Sequence, residues 1–221
     1  MINPINKTLI SNQLIDFFRE KIIFGSFKPG YRIVERKIAS DFNISQSPVR
    51  EALKIIEEEG LLVSIKNKGS YVSDISLDEM KSICEIRKTI EAVSLETIID
   101  QINFDDFDYL NSVLDRIKIA SSEKNIIDLT REDIKFHSYI IGKTNSRIII
   151  HLWNLVQIQI SRILLLAREV FQDYELIVAL HQSLLDVLKT KDIKIIKKEF
   201  SLHVDSVLNE IKKINPHSLI Y

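Results

Sequence analysis

The chain has 221 residues, 45% hydrophobic and 28% charged, an ordinary balance for a globular protein of one large or two smaller domains. The net charge of −1 by itself argues for no particular partner, and the lone Cys84 excludes an intramolecular disulfide, which suits a reducing cytoplasm. The opening MINPINKTLI lacks the apolar core of a signal peptide, and Gln, Arg or His cut the longest apolar runs short of the ~18–20 residues of a membrane span, so a soluble protein without a membrane partner is expected.

Charge is unevenly spread. Residues 1–70 hold 11 Lys and Arg against 8 Asp and Glu, whereas residues 71–221 hold 19 against 23. A mildly basic front on an acidic remainder hints at a polyanion partner for the front alone. There, Leu9, Ile10, Leu14, Phe17, Phe18 and Ile22 form one helical stripe and predict a helix over 8–24. "GSFKPG" (25–30) breaks it. A short helix over about 34–42 follows, with Ile38, Ala39 and Phe42 on one face. Asn43 suits a left-handed helix end and Ser45 the N-cap of the next helix. Pro48 falls in that helix's first turn, where a missing N–H does little harm, and the helix runs to about Glu59, stopping at Gly60. "LLVSI" and "SYVSDI", separated by "KNKG", read as a hairpin with Gly69 at the turn.

In the third helix Val49, Ala52, Leu53 and Ile56 form the buried stripe, leaving Gln46, Ser47 and Arg50 on the outer face. A helix of this kind after a tight turn can enter a DNA major groove. The serines and the free N–H groups of the helix start suit phosphate, while Gln46 and Arg50 can reach base edges or phosphates. Lys66, Lys68 and Gly69 would form a wing whose bare glycine backbone can approach DNA. The plainer alternative is a small helical domain whose serines are only caps.

After Ser73 the texture changes. "SLDE" (76–79) is a capping box opening a long helix to about 101. Further helices are expected over 104–121, 123–142, 146–170, 173–190 and 192–213, and six amphipathic helices with short connections imply an antiparallel bundle. The fold class is therefore mainly α: a winged helix-turn-helix over 1–75, then a helical bundle over 76–215.

The chain has five histidines, at 137, 151, 181, 203 and 217. Asp133 and His137 stand four residues apart on the apolar face of their helix, where an ionised carboxylate is costly unless paired or metal-bound. His181 lies on the stripe of Ile177, Leu184 and Leu188, and His203 on that of Ile196, Phe200, Val207 and Ile211. Each histidine alone reads as a hydrogen-bonded core residue. Together, three imidazoles and one carboxylate suit Zn, Ni or another borderline divalent ion, with room for a ligand or water. His151 and His217 lack this placement, Cys84 reads as core, and no second acid is expected on the inward stripes around these ligands.

"IIFGSFKPGYRIVERKIASDFNISQSPVREALKIIEEEGLLVSIKNKGSYVS" (22–73) resembles the winged helix-turn-helix of the GntR family of bacterial transcription regulators. The pieces G-x-x-x-P-G, S-x-S/T-P-V-R-E-A-L, E-G-L and K-G-x-x-V fall in the family's order and spacing. The resemblance implies operator contacts from Arg36, Ser45, Gln46, Ser47, Arg50 and Gly69, with Gln46 standing where relatives usually carry arginine. "DIKFH" (133–137), "LHQSLLDVL" (180–188) and "FSLHV" (200–204) resemble the FCD effector domain of the FadR-type branch. It implies a divalent metal on Asp133, His137, His181 and His203 and a small carboxylate effector bound there. "EIRKTIE" (85–91) places Arg87 where an arginine commonly faces the effector, although Arg87 also reads as a surface partner of Glu91 four residues on.

The leading expectation is a ligand-responsive regulator, a repressor in its commoner mode, that binds two-fold operator DNA as a homodimer because one chain supplies one recognition helix. No catalytic residues are assigned. The rival is a metal-dependent hydrolase in which an Asp/His₃ site activates water; a purely structural metal bundle is a third reading.

Overall fold

The computed structural model describes residues 7–166 and 174–212. The chain divides into two compact units, residues 1–75 and 76–220.

In the first unit α1 (Lys7–Ile23) packs on α3 (Gln46–Glu58), and α2 (Glu35–Asp41) packs on α3 as well. Val49, Ala52, Leu53 and Ile56 of α3 are buried, as their spacing predicts, against Leu14, Phe18 and Ile22 of α1 and Ile38 of α2. Phe42 departs from the expected stripe. It sits at the C-cap of α2, 44% exposed, with its ring edge on Phe17 at 5.0 Å.

Between α2 and α3, Asn43 takes the left-handed conformation at φ 53°. Ser45 is the N-cap of α3 but makes no side-chain cap bond. Pro48 lies buried in the first turn, and Gly60 at φ 75° ends the chain's departure from α3. The hairpin forms from β2 (Leu62–Ile65) and β3 (Gly69–Val72), paired antiparallel with Ile65 opposite Gly69. Asn67 at φ 63° turns the loop, while Gly69 at φ 102° opens the returning strand. A two-residue strand, β1 (Arg32–Ile33), adds to the free edge of β3, giving a sheet of order β1-β3-β2. So short a strand has no periodicity to read.

The second unit is six helices: α4 (Leu77–Ile98), α5 (Phe104–Ser122), α6 (Ile126–Gly142), α7 (Arg147–Leu166), α8 (Tyr174–Thr190) and α9 (Ile193–Lys212). A turn of 3₁₀ helix at Ile99–Gln101 tightens the end of α4. Ser76 forms the expected capping box with Glu79, and Asn103 forms a second with Asp106. α6 begins later than expected because Lys124 adopts φ 53° and Asn125 caps the helix by accepting the Asp128 N–H. The expected helix ends at 167–170 and 213, the boundary at 215 and His217 lie outside the described residues.

The main core joins α4, α5, α6, α8 and α9 around Leu95, Leu114, Phe136, Leu185 and Phe200. A second cluster sets Trp153 and Ile160 of α7 against Ile90 and Ile141. One expectation fails here. α7 is, by length and composition, apolar enough to cross a membrane, because its scattered Asn, Gln and Arg do not lower the average of so many Ile and Leu residues. Trp153, Ile160, Ile163 and Leu165 of this helix are buried within the protein, and so is Arg162.

Candidate DNA-recognition surface and metal centre

Arg36, Ser45, Gln46, Ser47, Arg50, Lys68 and Gly69 are all exposed. The buried stripe of α3 leaves Gln46, Ser47 and Arg50 on its outer face, as the helical period requires. The hydroxyl of Ser45, not engaged as a cap, leaves the free N–H groups of α3's first turn unsatisfied by it. Sequence reasoning missed the acids that hold these side chains. Arg50 donates from Nε and Nη2 to Glu35 Oε2 at 3.2 and 3.1 Å, and Ser47 donates to Glu51 Oε1 at 3.3 Å. Gly69 at φ 102° faces the Arg32 side chain, 3.7 Å from where a Cβ would stand, so a side chain there would be strained by its backbone angle.

The second unit brings Asp133, His137, His181 and His203 together from α6, α8 and α9, all buried, with one potential ligand atom of each within 4.8 Å of the others. Opposite ligands on one transition ion stand about 4.2 Å apart at bond lengths near 2.1 Å, so this spacing is close to that of a single centre. His181 and His203 pack edge-on with ring centroids 4.8 Å apart, and the His137 and His203 rings, tilted by 34°, lie 5.0 Å apart. Phe136 and Phe200 contact the rings from the core side.

The hydrogen bonds test whether an ion fits. His181 Nδ1 lies 2.9 Å from the carbonyl oxygen of Ile177 and must donate to it. The Nε2 of a neutral ring is then an acceptor, and it faces Asp133 Oδ1 at 3.1 Å. Two acceptors at that distance repel unless a proton or a metal cation stands with them. Among the described residues, nine buried side-chain nitrogen and oxygen atoms lack a hydrogen-bond partner, and all belong to Arg87, Glu91, Thr130, Asp133, His137, His181 and His203. Unsatisfied buried polar atoms are rare, so their concentration at one point fits an absent cation.

The acid not expected from the sequence is Glu91. It is buried on α4, where Met80, Cys84, Arg87, Glu91 and Leu95 recur at helical spacing, a signal that was legible. Arg87 Nε donates to Glu91 Oε1 at 2.8 Å, so the expected pair forms, but in the interior rather than at the surface. Arg87 Nη2 reaches within 4.0 Å of Asp133 Oδ2. His137 Nδ1 is 2.9 Å from Glu91 Oε1, at ion-pair distance but off line for a hydrogen bond.

Burial alone would raise both carboxyls; His181 and Arg87 outweigh it at Asp133, and Arg87 with His137 at Glu91, leaving each below its ordinary pKa. For Arg87 burial works against the charge, but Glu91 and Asp133 more than restore it. Burial, with Arg87 nearby, lowers His137; burial, with the other two imidazoles, lowers His203 further. Neutral imidazoles and ionised carboxylates are the ligand forms a transition metal needs.

Beside this cluster lies a cavity of about 20 Å³. Thr130, Asp133 and His203 form its polar wall, and Ile126, Leu129, Leu164, Ile177, Leu180 and Val207 the rest. Arg87 does not line it.

A recognition helix with a hairpin wing, followed by a separate helical bundle, defines the class of DNA-binding transcriptional regulator with a second, all-helical domain. The model for bacterial regulatory proteins of the gntR family matches residues 10–72, and the FCD domain model matches residues 82–206. The chain belongs to the GntR family and carries an FCD domain; it is a transcriptional regulator, not an enzyme. It is 26% identical over 205 residues to the gluconate operon transcriptional repressor of Bacillus licheniformis, covering 89% of this chain and 82% of that one. It is 22% identical to the transcriptional repressor RspR of Escherichia coli K12, covering 93% and 90%. The fold matches Escherichia coli McbR/YncC with a TM-score of 0.80 at 18% identity, covering 93% of this chain and 99% of that one.

Proposed function

We propose that the chain is a cytoplasmic, homodimeric repressor whose operator affinity is set by a small carboxylate effector bound at a divalent-metal site in the bundle. Residues 1–75 serve as the DNA-binding domain and 76–215 as the effector domain, and no membrane partner is involved. Asp133, His137, His181 and His203 hold the ion, Zn or Ni by donor chemistry. The bound ion would supply a Lewis-acidic anchor for the effector's carboxylate. The observation that carries the reading is the 3.1 Å approach of His181 Nε2 to Asp133 Oδ1 inside a cluster of unsatisfied polar atoms.

At the other unit, Arg36, Ser45, Ser47, Lys68 and Gly69 approach phosphates, while Gln46 and Arg50 reach base edges. Two recognition helices are needed for a two-fold operator, hence the homodimer. The names of the two repressors similar to this chain support repression as its mode. Effector binding shifts operator affinity through a coupling free energy of about 1–3 kcal/mol.

The test has two arms. Fluorescence anisotropy on a promoter fragment should show dimeric binding that falls steeply with salt. Elemental analysis should find about one divalent ion per chain, as four ligands of one ion require. Undiminished operator binding after removal of residues 1–75 would end the DNA reading. A protein still metal-free after incubation with Zn²⁺ or Ni²⁺ would end the metal reading.

A further inference from the structure

Ile86 and Val93 of α4 and Ile148, Leu152 and Leu155 of α7 are between 41% and 64% exposed. Single exposed apolar residues are ordinary on any protein, whereas a contiguous group marks an interaction surface. α4 packs on α7, with Ile90 and Trp153 in a shared cluster beneath the exposed residues. Ile86 and Val93 stand beside Ile83 and Ile90, which join that cluster, and Leu152 stands beside Ile149 and Val156, which join it from α7. The five side chains therefore share one face.

The polar residues of α4 along this face are already satisfied. Ser82, Thr89 and Thr97 donate their hydroxyls to the carbonyls of Asp78, Glu85 and Val93, each one turn back, at 2.9, 2.9 and 2.8 Å. Covering these hydroxyls leaves no donor unmet. With 22 residues in α4 and 20 in α7, the face is about 30 Å long and about 20 Å wide, roughly 600 Å² before side chains roughen it. Stable interfaces cover about 800 Å² on each partner, so the face is large enough to hold one.

Charge selects the occupant. The exposed charges beside Ile86 and Val93 are Glu85 and Glu96, which remain 67% and 53% exposed despite pairing with Lys88 and Lys197. α7 contains no acid, and Arg147 and His151 are exposed at its start. α4 and α7 run antiparallel in the up-and-down bundle, so Glu96 and Arg147 stand toward the same end. A face acidic on one helix and basic on the other is complementary to a copy of itself. A two-fold axis parallel to the helices lays α4 on the partner's α7 and brings unlike charges together; an axis across them brings like charges together. An anionic membrane surface fits less well, because it would repel the acids of α4.

We propose that the α4–α7 face is the homodimer interface, with α4 of each copy lying on α7 of the other. This rests on the homodimer reading above and supplies its surface.

Sedimentation equilibrium of the full-length chain at low salt tests it. Val93→Lys and Leu152→Glu should each raise the dimer dissociation constant at least tenfold, while Leu202→Glu, at an exposed position on α9, should leave it within threefold. Sign decides the pairing. Val93→Lys should weaken the dimer at least threefold more than Val93→Glu, and Leu152→Glu at least threefold more than Leu152→Lys. Ile86→Lys and Leu155→Glu repeat the test on the same helices should a first variant misfold. A dimeric wild type whose Val93→Lys and Leu152→Glu variants change less than tenfold overturns the inference and leaves the homodimer reading standing. An absent or reversed sign preference overturns the laying of α4 on α7. A wild type that stays monomeric at micromolar concentration overturns both readings, and if that monomer floats with anionic vesicles the face belongs to a membrane.

Discussion

Arg87 and Glu91 form an ion pair at 2.8 Å with side chains 3% and 1% exposed, one helical turn apart on α4. Both charges face the bundle interior, where each depends on the other. Truncating one partner leaves a buried charge uncompensated, at a cost of about 3–5 kcal/mol. Glu91→Ala should therefore lower the melting temperature of the metal-free protein by roughly 6–12 °C or more for a chain of this size. Thermal unfolding followed by circular dichroism checks this, and a drop of a degree or two would place the pair in solvent.

Arg87 also bears on the effector. Arg87→Ala should blunt the rise in melting temperature produced by saturating small carboxylate, which otherwise grows with the logarithm of its excess over Kd. Metal content should persist, since the four ligands remain. An unchanged thermal response would separate Arg87 from effector binding.

The histidines predict a pH dependence. His137 and His203 have folded-state pKa values below the unfolded value, so the unfolded chain binds more protons between the two. Stability therefore rises with pH in that window: it is complete above about pH 6.5 and is lost as pH falls toward the folded values. Metal should be released over the same descent, because protonated imidazole is no ligand. Melting temperature measured on metal-free protein from pH 8 to 5 should fall in the lower half of that range. The double substitution of His137 and His203 by leucine should flatten the curve, and an equally steep curve in that variant would assign the slope to other groups.

On the recognition helix, Arg50→Ala should weaken operator binding by ~1–3 kcal/mol if the guanidinium reads a base. Glu35→Gln removes the acid that holds Arg50 and should strengthen DNA binding at low salt. Titrations of both variants against one labelled operator check the pair, and weaker binding by Glu35→Gln would show that the acid orients Arg50 productively.

Gln46 should read differently from an arginine. Glutamine pairs with adenine N6 and N7, whereas arginine pairs with guanine O6 and N7. Gln46→Arg should move preference at a single base pair from A·T toward G·C by ~1–3 kcal/mol. Binding-site selection on both proteins decides, and identical preferences would mean that Gln46 reads no base.

Local signals sufficed wherever a short stretch carries its own physics. The Ser76–Glu79 capping box, the left-handed Asn43 and the buried stripe of α3 all follow from neighbouring residues and stand as expected. The inward placement of Asp133, His137, His181 and His203 was likewise legible, because helical period alone puts a residue on the apolar face. What needed the tertiary structure is how faces from different helices meet. Period puts Glu91 and Thr130 on a helix but cannot say that α4 turns Glu91 toward His137, or that Thr130 borders a cavity with side chains of α7, α8 and α9. Nor does it show that Glu35, fifteen residues before Arg50, holds its guanidinium. β1 is invisible for the same reason: two residues have no pattern, and Arg32–Ile33 become a strand only because β3 offers an edge to pair with. Sequence periodicity assigns each side chain a direction, while packing assigns it a neighbour, and the charge of the buried centre depends on neighbours.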